Sequence, residues 1–285
     1  MKCRAESRGD LPVALVQLNS TPDVERNLAC IGEYVAEAAA LGCRLVALPE
    51  NATVLCSEKD KWKFEESLDG RQVSTVRELA VRHGVHVLLG GFPETNENGK
   101  PYNTQVLTGP SGDIRAVYRK IHLFDVAVAA DTSHRESDTT CAGPAAAVVA
   151  EVEGWRIGLS TCYDLRFPEL FRCLVDKGAE VFSVPAAFTM RTGAAHWHVL
   201  NRARAVENHS WVIAPAQVGI AYGRRESFGH SLVVDPWGVV VADRGRERGM
   251  LVTRLESGMA ANVRQSLPCL SHRRFGVVPL DVSPE

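Results

Sequence analysis

The feature that most constrains the fold of this chain is the alternation of short apolar runs with amphipathic segments of helical period. The runs LPVALVQL (11–18), RLVALPE (44–50) and VHVLLGGF (85–92) have the length of strands. The same rhythm returns in the second half as helix 168–177, strand 181–186, helix 194–208 and strand 211–217. Strands that alternate with helices favour an α/β architecture, in which helices cover the faces of the sheets.

The segment after the first strand is predicted to be an amphipathic helix. Thr21 is expected to cap it, with Pro22 and Asp23 in its first turn. One buried face is predicted from apolar residues at steps of three and four, which are Val24, Leu28, Ile31, Val35 and Ala38. Gly42 suits the left-handed position that ends a helix. A second helix is expected around 72–83.

Three antiparallel hairpins interrupt this rhythm. They span 104–120, 145–162 with a turn at Glu153-Gly154, and 230–244 with a turn at 235–238. The run GMLVTRLE (249–256) closes the predicted core. The chain shows no low-complexity linker or break in composition. We therefore expect one domain over 11–285 after a flexible N-terminus at 1–10, with a mixed sheet or a pair of sheets covered by helices.

Composition excludes several functional classes. The formal net charge of −2 argues against binding to nucleic acid or an anionic membrane, because both need an excess of Lys and Arg. The opening MKCRAESRGD lacks the apolar core of a signal peptide, and no run approaches the ~18 apolar residues of a membrane span, so a cytoplasmic protein is expected. The eight cysteines include no C-x-x-C pair, which disfavours zinc ribbons and thioredoxin-like sites.

Three strand ends carry residues that could perform chemistry together. Glu50, Lys120 and Cys162 each follow an apolar strand directly, and loops at the carboxyl ends of strands are where α/β proteins place reactive groups. Taken alone, each has an ordinary structural explanation. Together they fit acyl transfer, in which a thiol attacks, a carboxylate moves protons and an ammonium stabilises an oxyanion with the backbone N–H after the nucleophile.

The sequence around these residues resembles the nitrilase superfamily of carbon–nitrogen hydrolases. The blocks ALPEN, YRKIHLFD and STCYDLRFPEL are similar to the three signature blocks of that family, in its order, and the likeness extends from VALVQLNS to DPWGVVVA. The resemblance implies a four-layer α-β-β-α sandwich, no cofactor, and Glu50, Lys120 and Cys162 as a catalytic triad. It also implies a second glutamate beside the lysine, and Glu136 in HRESDTTCAGP stands at the matching position.

Within the superfamily the chain resembles the Nit amidases, through PAAFTMRTGAAHWHVLNRARAVEN, GHSLVVDPWG and LPCLSHRRF. This implies hydrolysis of the amide of a small anionic ω-amido 2-oxo acid, of the deaminated glutathione type, through a thioester and with release of ammonia. A homodimer or higher homo-oligomer is also implied, and Leu170, Phe171 and Leu174 of helix 168–177 are expected to contribute apolar surface to it. Arg166 is the expected ligand of the substrate carboxylate, because a guanidinium pairs bidentately with it. Further substrate-binding candidates are Tyr163, Thr189, Arg191 and Thr192.

Several alternatives stay open from the sequence. They include an ω-amidase acting on 2-oxoglutaramate, an N-carbamoyl amine hydrolase, and a non-catalytic binding protein on the same fold. A thiol protease would need a Cys–His pair, and no block supplies a histidine in a comparable context. His196 and His198 in HWH are expected to have a structural role and no metal site is expected, because residues two apart on a helix point in different directions. The small apolar segment 126–133 is expected beside the mouth of the site.

Overall fold

The apolar runs form strands and the amphipathic segments form helices in the computed structural model, which describes residues 8–97, 99–129, 132–223 and 225–278. The strands are β1 (Leu11–Gln17), β2 (Leu45–Ala47), β3 (His86–Glu94), β4 (Tyr102–Thr108), β5 (Ile114–Arg119), β6 (Asp125–Ala129), β7 (Thr132–Arg135), β8 (Val149–Val152), β9 (Trp155–Leu159), β10 (Val181–Ser183), β11 (Trp211–Ala214), β12 (Val218–Ala221), β13 (Arg225–Phe228), β14 (Leu232–Val234), β15 (Val240–Asp243) and β16 (Gly249–Leu255). The helices are α1 (Val24–Ala40), α2 (Arg71–His83), α3 (Pro168–Asp176), α4 (Met190–Thr192), α5 (His198–Asn208) and α6 (Met259–Ser266). Short 3-10 helices cover Glu58–Phe64, Glu136–Asp138 and Cys162–Arg166, and a π-helical turn covers Gly193–Trp197.

Two six-stranded mixed sheets form the centre of the molecule. The first has the order β16-β1-β2-β3-β4-β5, and the second has the order β15-β14-β11-β10-β9-β8. In each sheet three neighbouring strands are parallel, β1, β2 and β3 in one and β9, β10 and β11 in the other, and the strands beside them are antiparallel. Parallel strands need crossover connections, and helices α1, α2, α3 and α5 lie in these connections.

The side chains of β1 show how four layers form. Val13 and Leu15 belong to the core between the two sheets, together with residues of β9, β10 and β11. Ala14 and Val16 point to the opposite face, because side chains alternate along a strand, and they pack with α1 and α2. Helices α3 and α5 contribute to the core on the side of the second sheet. The predicted α-β-β-α sandwich is confirmed.

Helix α1 follows the predicted pattern except at its start. The buried face includes Leu28, Ile31, Val35 and Ala38, as predicted, and Gly42 adopts a φ of 81° just after the helix. The prediction that Thr21 caps the helix is wrong, because Asp23 is the N-cap and its carboxylate accepts the N–H of Arg26 at 3.0 Å. Thr21 instead accepts the N–H of Asp23 at 3.2 Å and so braces the capping residue.

The expected contribution of helix α3 to a partner surface is wrong. Leu170, Phe171 and Leu174 are all buried inside this chain, and Phe171 meets Phe182 edge-on with ring centroids 5.1 Å apart. The apolar width of this helix therefore reflects its own core. The sequence also did not predict the hairpins β6–β7 and β12–β13, helix α6, or the early helical start at Met190.

The chain termini are described only in part. Residues 1–7 of the expected flexible N-terminus lie outside the described residues, whereas Arg8 donates to the Glu180 carboxylate at 2.6 and 2.7 Å. Of the segment 126–133, residues 130 and 131 lie outside the described residues, and the remainder belongs to the ends of β6 and β7. Among the helices that the structure describes, none is long and apolar enough to cross a bilayer.

Candidate active site

Three strand ends meet in one pocket that opens to solvent. Glu50 follows β2, Lys120 follows β5 and Cys162 follows β9, and all three side chains line this pocket. The two six-stranded sheets pack face to face, so the ends of strands from both converge at one edge of the sandwich. The exposed fractions of Glu50, Lys120 and Cys162 are only 3%, 2% and 7%.

The backbone around Cys162 holds the thiol at a sharp turn. Cys162 has a φ of 51°, in the left-handed region that residues other than glycine seldom adopt, and it begins a 3-10 helix. The buried carboxylate of Asp164 accepts the N–H of Thr161 at 2.8 Å and the hydroxyl of Tyr118 at 2.6 Å. The N–H of Cys162 donates to Pro185 O at 2.9 Å. These bonds fix the strained turn between the strand and the 3-10 helix.

The carboxylate of Glu50 is fixed from several sides. Its Oε1 accepts the amide of Asn103 at 2.9 Å and Nζ of Lys120 at 3.1 Å, and its Oε2 accepts the N–H of Ala187 at 2.9 Å. The thiol of Cys162 lines the same pocket, and the negative charge of this carboxylate acts on it. The proton acceptor beside the thiol is therefore a carboxylate, where a papain-like protease would have an imidazole.

Lys120 lies between two buried carboxylates. Its Nζ is 3.1 Å from Oε1 of Glu50 and 2.8 Å from Oε2 of Glu136, and Glu136 also accepts the N–H of Phe124 at 2.7 Å. Burial alone would lower the pKa of Lys120, but the charges of Glu136 and Glu50 outweigh it and raise this pKa well above its usual value. The ammonium is therefore charged at any neutral pH.

Glu136 is held as an anion in the same way. Burial would raise its pKa, but the nearby ammonium groups of Lys120 and Lys61 lower it to about 2. Lys61 in turn lies 2.6 Å from Glu58, whose carboxylate also lines the pocket. Glu136 therefore contacts both Lys120 and Lys61, and through Lys61 it is joined to the Lys61–Glu58 ion pair.

The thiol of Cys162 is protonated in the resting site. Burial raises its pKa well above the usual value of a cysteine, and the negative charge of Glu50 raises it further. Lys120 opposes this shift without reversing it. A reaction that used this thiol as a nucleophile would have to generate the thiolate, and the Glu50 carboxylate in the same pocket offers a proton acceptor.

The charged groups that line the pocket balance one another. Glu50, Glu58 and Glu136 face Lys61, Lys120 and Arg225. The sequence did not single out Arg225, Lys61 or Glu58. Arg225 begins β13 in a polar turn segment, and its Nη2 donates to Ala187 O at 2.6 Å. Its Nε is buried and has no hydrogen-bond partner among the described residues, so it is free to meet an oxygen of a bound molecule.

The predicted substrate-binding residues divide into three groups. Tyr163, Thr189 and Thr192 line the pocket, and the hydroxyls of the two threonines are 2.9 Å apart. Arg166 lies behind this wall, with its guanidinium over the rings of Tyr163 and Phe188 at 5.7 and 5.6 Å. Its Nη2 is 3.3 Å from Nδ1 of His196. Arg191 is exposed, and it is not among the described residues that line the pocket.

The pocket does not have the arrangement of a metal centre. Nζ of Lys120 occupies the space between Glu50 and Glu136, where a cation would otherwise sit. Within the described parts of the chain, a group of three converging His, Cys, Asp or Glu donors is found only outside this pocket. The pocket presents a thiol, carboxylates and an ammonium to a bound molecule.

Comparison with known proteins agrees with this geometry. Residues 12–265 match the family model described as carbon–nitrogen hydrolase. The chain belongs to the carbon–nitrogen hydrolase family. It is 42% identical to the deaminated glutathione amidase of Synechocystis over 265 residues, covering 92% of this chain and 97% of that relative. With relatives at this identity over most of its length, this carbon–nitrogen hydrolase is a cysteine amidase.

Solved structures of the family share the architecture of this hydrolase. The Nit3 protein of Saccharomyces cerevisiae, from branch 10 of the nitrilase superfamily, superposes with a TM-score of 0.85 at 30% identity, covering 94% of this chain and 97% of its own. A glutamate-to-glutamine mutant of the amidase from Nesterenkonia sp. AN1 superposes with a TM-score of 0.77 at 26% identity, covering 95% and 98%. In that mutant the acetamide moiety of fluoroacetamide is covalently added to the active-site cysteine.

Proposed function

We propose that this amidase hydrolyses the amide bond of a small anionic 2-oxo acid, with deaminated glutathione as the preferred substrate and Cys162 as the nucleophile. The observation that carries the proposal is the placement of the Cys162 thiol in one pocket with the Glu50 carboxylate, with Nζ of Lys120 bound to that carboxylate at 3.1 Å, and with Arg225. The names of relatives at 40–42% identity support the choice of substrate.

The first half of the reaction forms a thioester. Glu50 accepts the thiol proton as Sγ of Cys162 attacks the amide carbonyl carbon. The resulting oxyanion is stabilised by the ammonium of Lys120 and by the backbone N–H of Tyr163. Glu50 then gives its proton to the leaving nitrogen, the C–N bond breaks, and an amine departs. The acyl group remains on sulfur.

The second half consumes water. Glu50 accepts a proton as water attacks the thioester carbon, and the C–S bond of the second tetrahedral intermediate breaks. The thiolate recovers its proton from Glu50, and the acid is released. Glu136 acts as a positioning residue, because it binds Nζ of Lys120 through two contacts of 2.8 and 3.1 Å and accepts the N–H of Phe124. The covalent adduct on the cysteine of the Nesterenkonia mutant supports this course.

The substrate determines which amine leaves. In deaminated glutathione the 2-oxoglutaryl group is joined to the nitrogen of cysteinylglycine, so hydrolysis releases the dipeptide with 2-oxoglutarate. Ammonia, the expected product from the sequence, is released only from primary amides such as 2-oxoglutaramate. Both substrates place the same 2-oxo acid in the pocket, and they differ in what extends from the scissile nitrogen.

Arg225 is the proposed anchor for the carboxylate of the 2-oxo acid. Its buried Nε lacks a partner among the described residues, and a guanidinium pairs bidentately with a carboxylate. Lys120 is already committed to Glu50 and Glu136. Arg166, the anchor predicted from the sequence, stacks behind Tyr163 and Phe188, and we propose that it stiffens this aromatic wall.

The test is a comparison of kcat/KM for deaminated glutathione, 2-oxoglutaramate, an N-carbamoyl amine and a neutral amide of similar size. Release of 2-oxoglutarate is measured for the first two, with cysteinylglycine and ammonia measured separately. Cys162→Ala serves as the blank. We expect deaminated glutathione to give the highest value. Equal rates for the neutral amide would refute the anionic substrate, and a higher value for 2-oxoglutaramate would favour the ω-amidase.

The same assay separates the two arginines. Arg225→Lys is expected to raise KM for the anionic amides by roughly 10-fold or more and to leave the neutral amide nearly unaffected, because a point charge cannot reproduce a bidentate grip. Arg166→Lys is expected to have the smaller effect on KM. If Arg166→Lys raises KM more than Arg225→Lys, then Arg166 is the anchor and the assignment is reversed.

We also propose that the protein forms a homo-oligomer of at least two chains. Exposed apolar side chains lie on α5, in and after the turn at 235–238, and on β15. The turn packs on α5, where Arg202 donates to Gly238 O at 2.8 Å and Val206 lies against Gly238. These side chains are Val199, Val206, Trp237, Val239 and Val241. Exposed apolar side chains that form a contiguous patch often mark a protein–protein interface, and the proposal is that these residues form one.

A further inference from the structure

A second group of chemistry-bearing side chains lies outside the pocket. It consists of His198 in the first turn of α5, His230 just before β14, and Asp243 at the end of β15. Nε2 of His198 is 2.8 Å from Oδ2 of Asp243, and Nδ1 of His230 is 3.0 Å from Oδ1. We propose that these three residues bind a divalent transition-metal ion such as Zn²⁺.

The distances fit a metal ion with modest adjustment. One donor atom from each residue lies within 4.8 Å of the other two. Zn²⁺ binds nitrogen and oxygen at about 2.0–2.2 Å, which places tetrahedral ligand atoms about 3.3–3.6 Å apart. The Asp243–His contacts of 2.8 and 3.0 Å would lengthen slightly as the metal replaces the protons that now join these groups.

The backbone and ring of His230 are held in place for this role. His230 has a φ of 57°, its N–H donates to Gly245 O at 2.7 Å, and its carbonyl accepts the indole N–H of Trp197 at 2.8 Å. Its ring stacks on Phe228 with centroids 4.4 Å apart. Oδ1 of Asp243 accepts the N–H of Gly245 at 2.8 Å, a contact typical of the residues that orient metal ligands.

The type of donor selects the metal. Two imidazoles and one carboxylate suit Zn²⁺, Co²⁺ or Ni²⁺, whereas Ca²⁺ and Mg²⁺ prefer sites made of oxygen. The side chains of His198, His230 and Asp243 are 37%, 22% and 28% exposed, so a metal ion can enter from solvent and keep water as a further ligand. His196 does not take part, because it turns towards Arg166.

A metal ion here would fasten the start of α5 to the β14–β15 hairpin, next to one wall of the active-site pocket. Trp197, which precedes His198, packs on Phe188 with centroids 4.9 Å apart. The N–H of Phe228, the residue under the His230 ring, donates to Phe188 O at 2.9 Å. Phe188 lines the pocket. The site is independent of which amide the enzyme hydrolyses.

The experiment uses the untagged full chain, freed of metal with EDTA and then dialysed. Titration with ZnCl₂ by calorimetry gives stoichiometry and affinity, and thermal unfolding gives the change in Tm. His198→Asn, His230→Asn and Asp243→Asn remove single ligands, and His272→Asn, an exposed histidine of the C-terminal segment, is the matched control. Cys162→Ala and Cys269→Ala test for binding to thiols, because Sγ of Cys269 lies 2.9 Å from Nε2 of His209.

We expect one Zn²⁺ per chain and a Tm about 5 °C higher at a hundredfold excess of metal over the dissociation constant. Each ligand variant should weaken binding by roughly 10- to 100-fold or more, while His272→Asn and both cysteine variants bind as the wild type does. Stoichiometric binding that survives in the ligand variants, or that is lost in either cysteine variant, would overturn the site.

Co²⁺ gives a readout that does not depend on how the variants fold. Bound to two imidazoles and a carboxylate in the wild type, it should show the visible bands of a four- or five-coordinate ion without a sulfur-to-cobalt charge-transfer band. A charge-transfer band, or the spectrum of free aqueous Co²⁺ at saturating protein, would refute the proposal.

Discussion

At the scale of single residues, the site depends on one ammonium between two buried carboxylates. Nζ of Lys120 is 2.8 Å from Glu136 and 3.1 Å from Glu50, and all three side chains are almost fully buried. Removing the cation would leave two anions facing each other without water. The proposed catalytic role of Lys120 is therefore linked to folding stability.

Lys120→Met is expected to lower kcat/KM, because the oxyanion loses its nearest charge. The loss should correspond to an increase of about 3 kcal/mol or more in the activation free energy. It should also lower the free energy of unfolding by roughly 3–5 kcal/mol, because Glu50 and Glu136 lose their partner. Steady-state kinetics and urea unfolding measure the two effects. Lys63→Met, in an exposed ion pair with Asp60, is the control and should change stability by less than about 1 kcal/mol. Normal kinetics in Lys120→Met would remove the lysine from the mechanism.

The lowered pKa of Glu136 predicts how the free energy of unfolding depends on pH. Its pKa is about 2 in the folded chain and 4.5 ordinarily, so the folded state favours the anion and gains stability above pH 4.5. This contribution is lost as the pH falls from 4.5 towards 2, and it amounts to roughly 3 kcal/mol. Unfolding free energies measured over this range should fall more steeply in the wild type than in Glu136→Gln. Parallel curves would mean that Glu136 is not held as an anion.

At the scale of elements, a pocket residue can be predicted from the sequence when it directly follows a strongly apolar strand. Glu50, Lys120 and Cys162 have this context, and the sandwich brings them together. Arg225 lacks it, because the β12–β13 hairpin reads as a polar turn with little apolar alternation. Asp23 is the helix cap in place of Thr21 because two capping residues, separated by Pro22, compete, and only backbone geometry decides between them.

Gly90 in β3 shows how closely these elements approach one another. A Cβ there would lie 2.2 Å from O of Leu48, which leads to Glu50. It would also lie 2.5 Å from Cβ of Pro185, whose carbonyl accepts the N–H of Cys162. Gly90→Ala should therefore push the two strand ends apart and lower kcat at least 10-fold, since small displacements of reacting groups are costly. Gly9→Ala, with nothing within 4 Å, is the control. Full activity in Gly90→Ala would show that the ends tolerate separation.

At the scale of the whole molecule, the sequence predicts the four layers well and the surface poorly. Periodicity reports which residues are buried, but the burial of Leu170, Phe171 and Leu174 within the chain looks the same in a sequence as burial against a partner. The exposed apolar group around Trp237 became visible only once the turn at 235–238 was placed against α5.

The proposed assembly is tested by light scattering during size-exclusion chromatography. At micromolar concentration the wild type should have at least twice the 31.1 kDa mass of one chain. Trp237→Asp, which puts a charge in the exposed apolar group, should shift the protein towards the monomer, whereas Trp62→Asp, at another exposed tryptophan, should not. A wild type that elutes as a monomer would contradict the assembly.

The central claim is that the amide is cleaved by transfer of its acyl group to Cys162. Mass spectrometry of a reaction with deaminated glutathione, quenched in acid before the steady state ends, tests it directly. We predict a 2-oxoglutaryl group on the peptide that contains Cys162, absent from the other cysteine peptides, which disappears as substrate is exhausted. Turnover by Cys162→Ala, or rapid wild-type turnover with the acyl group on another residue, would contradict the account.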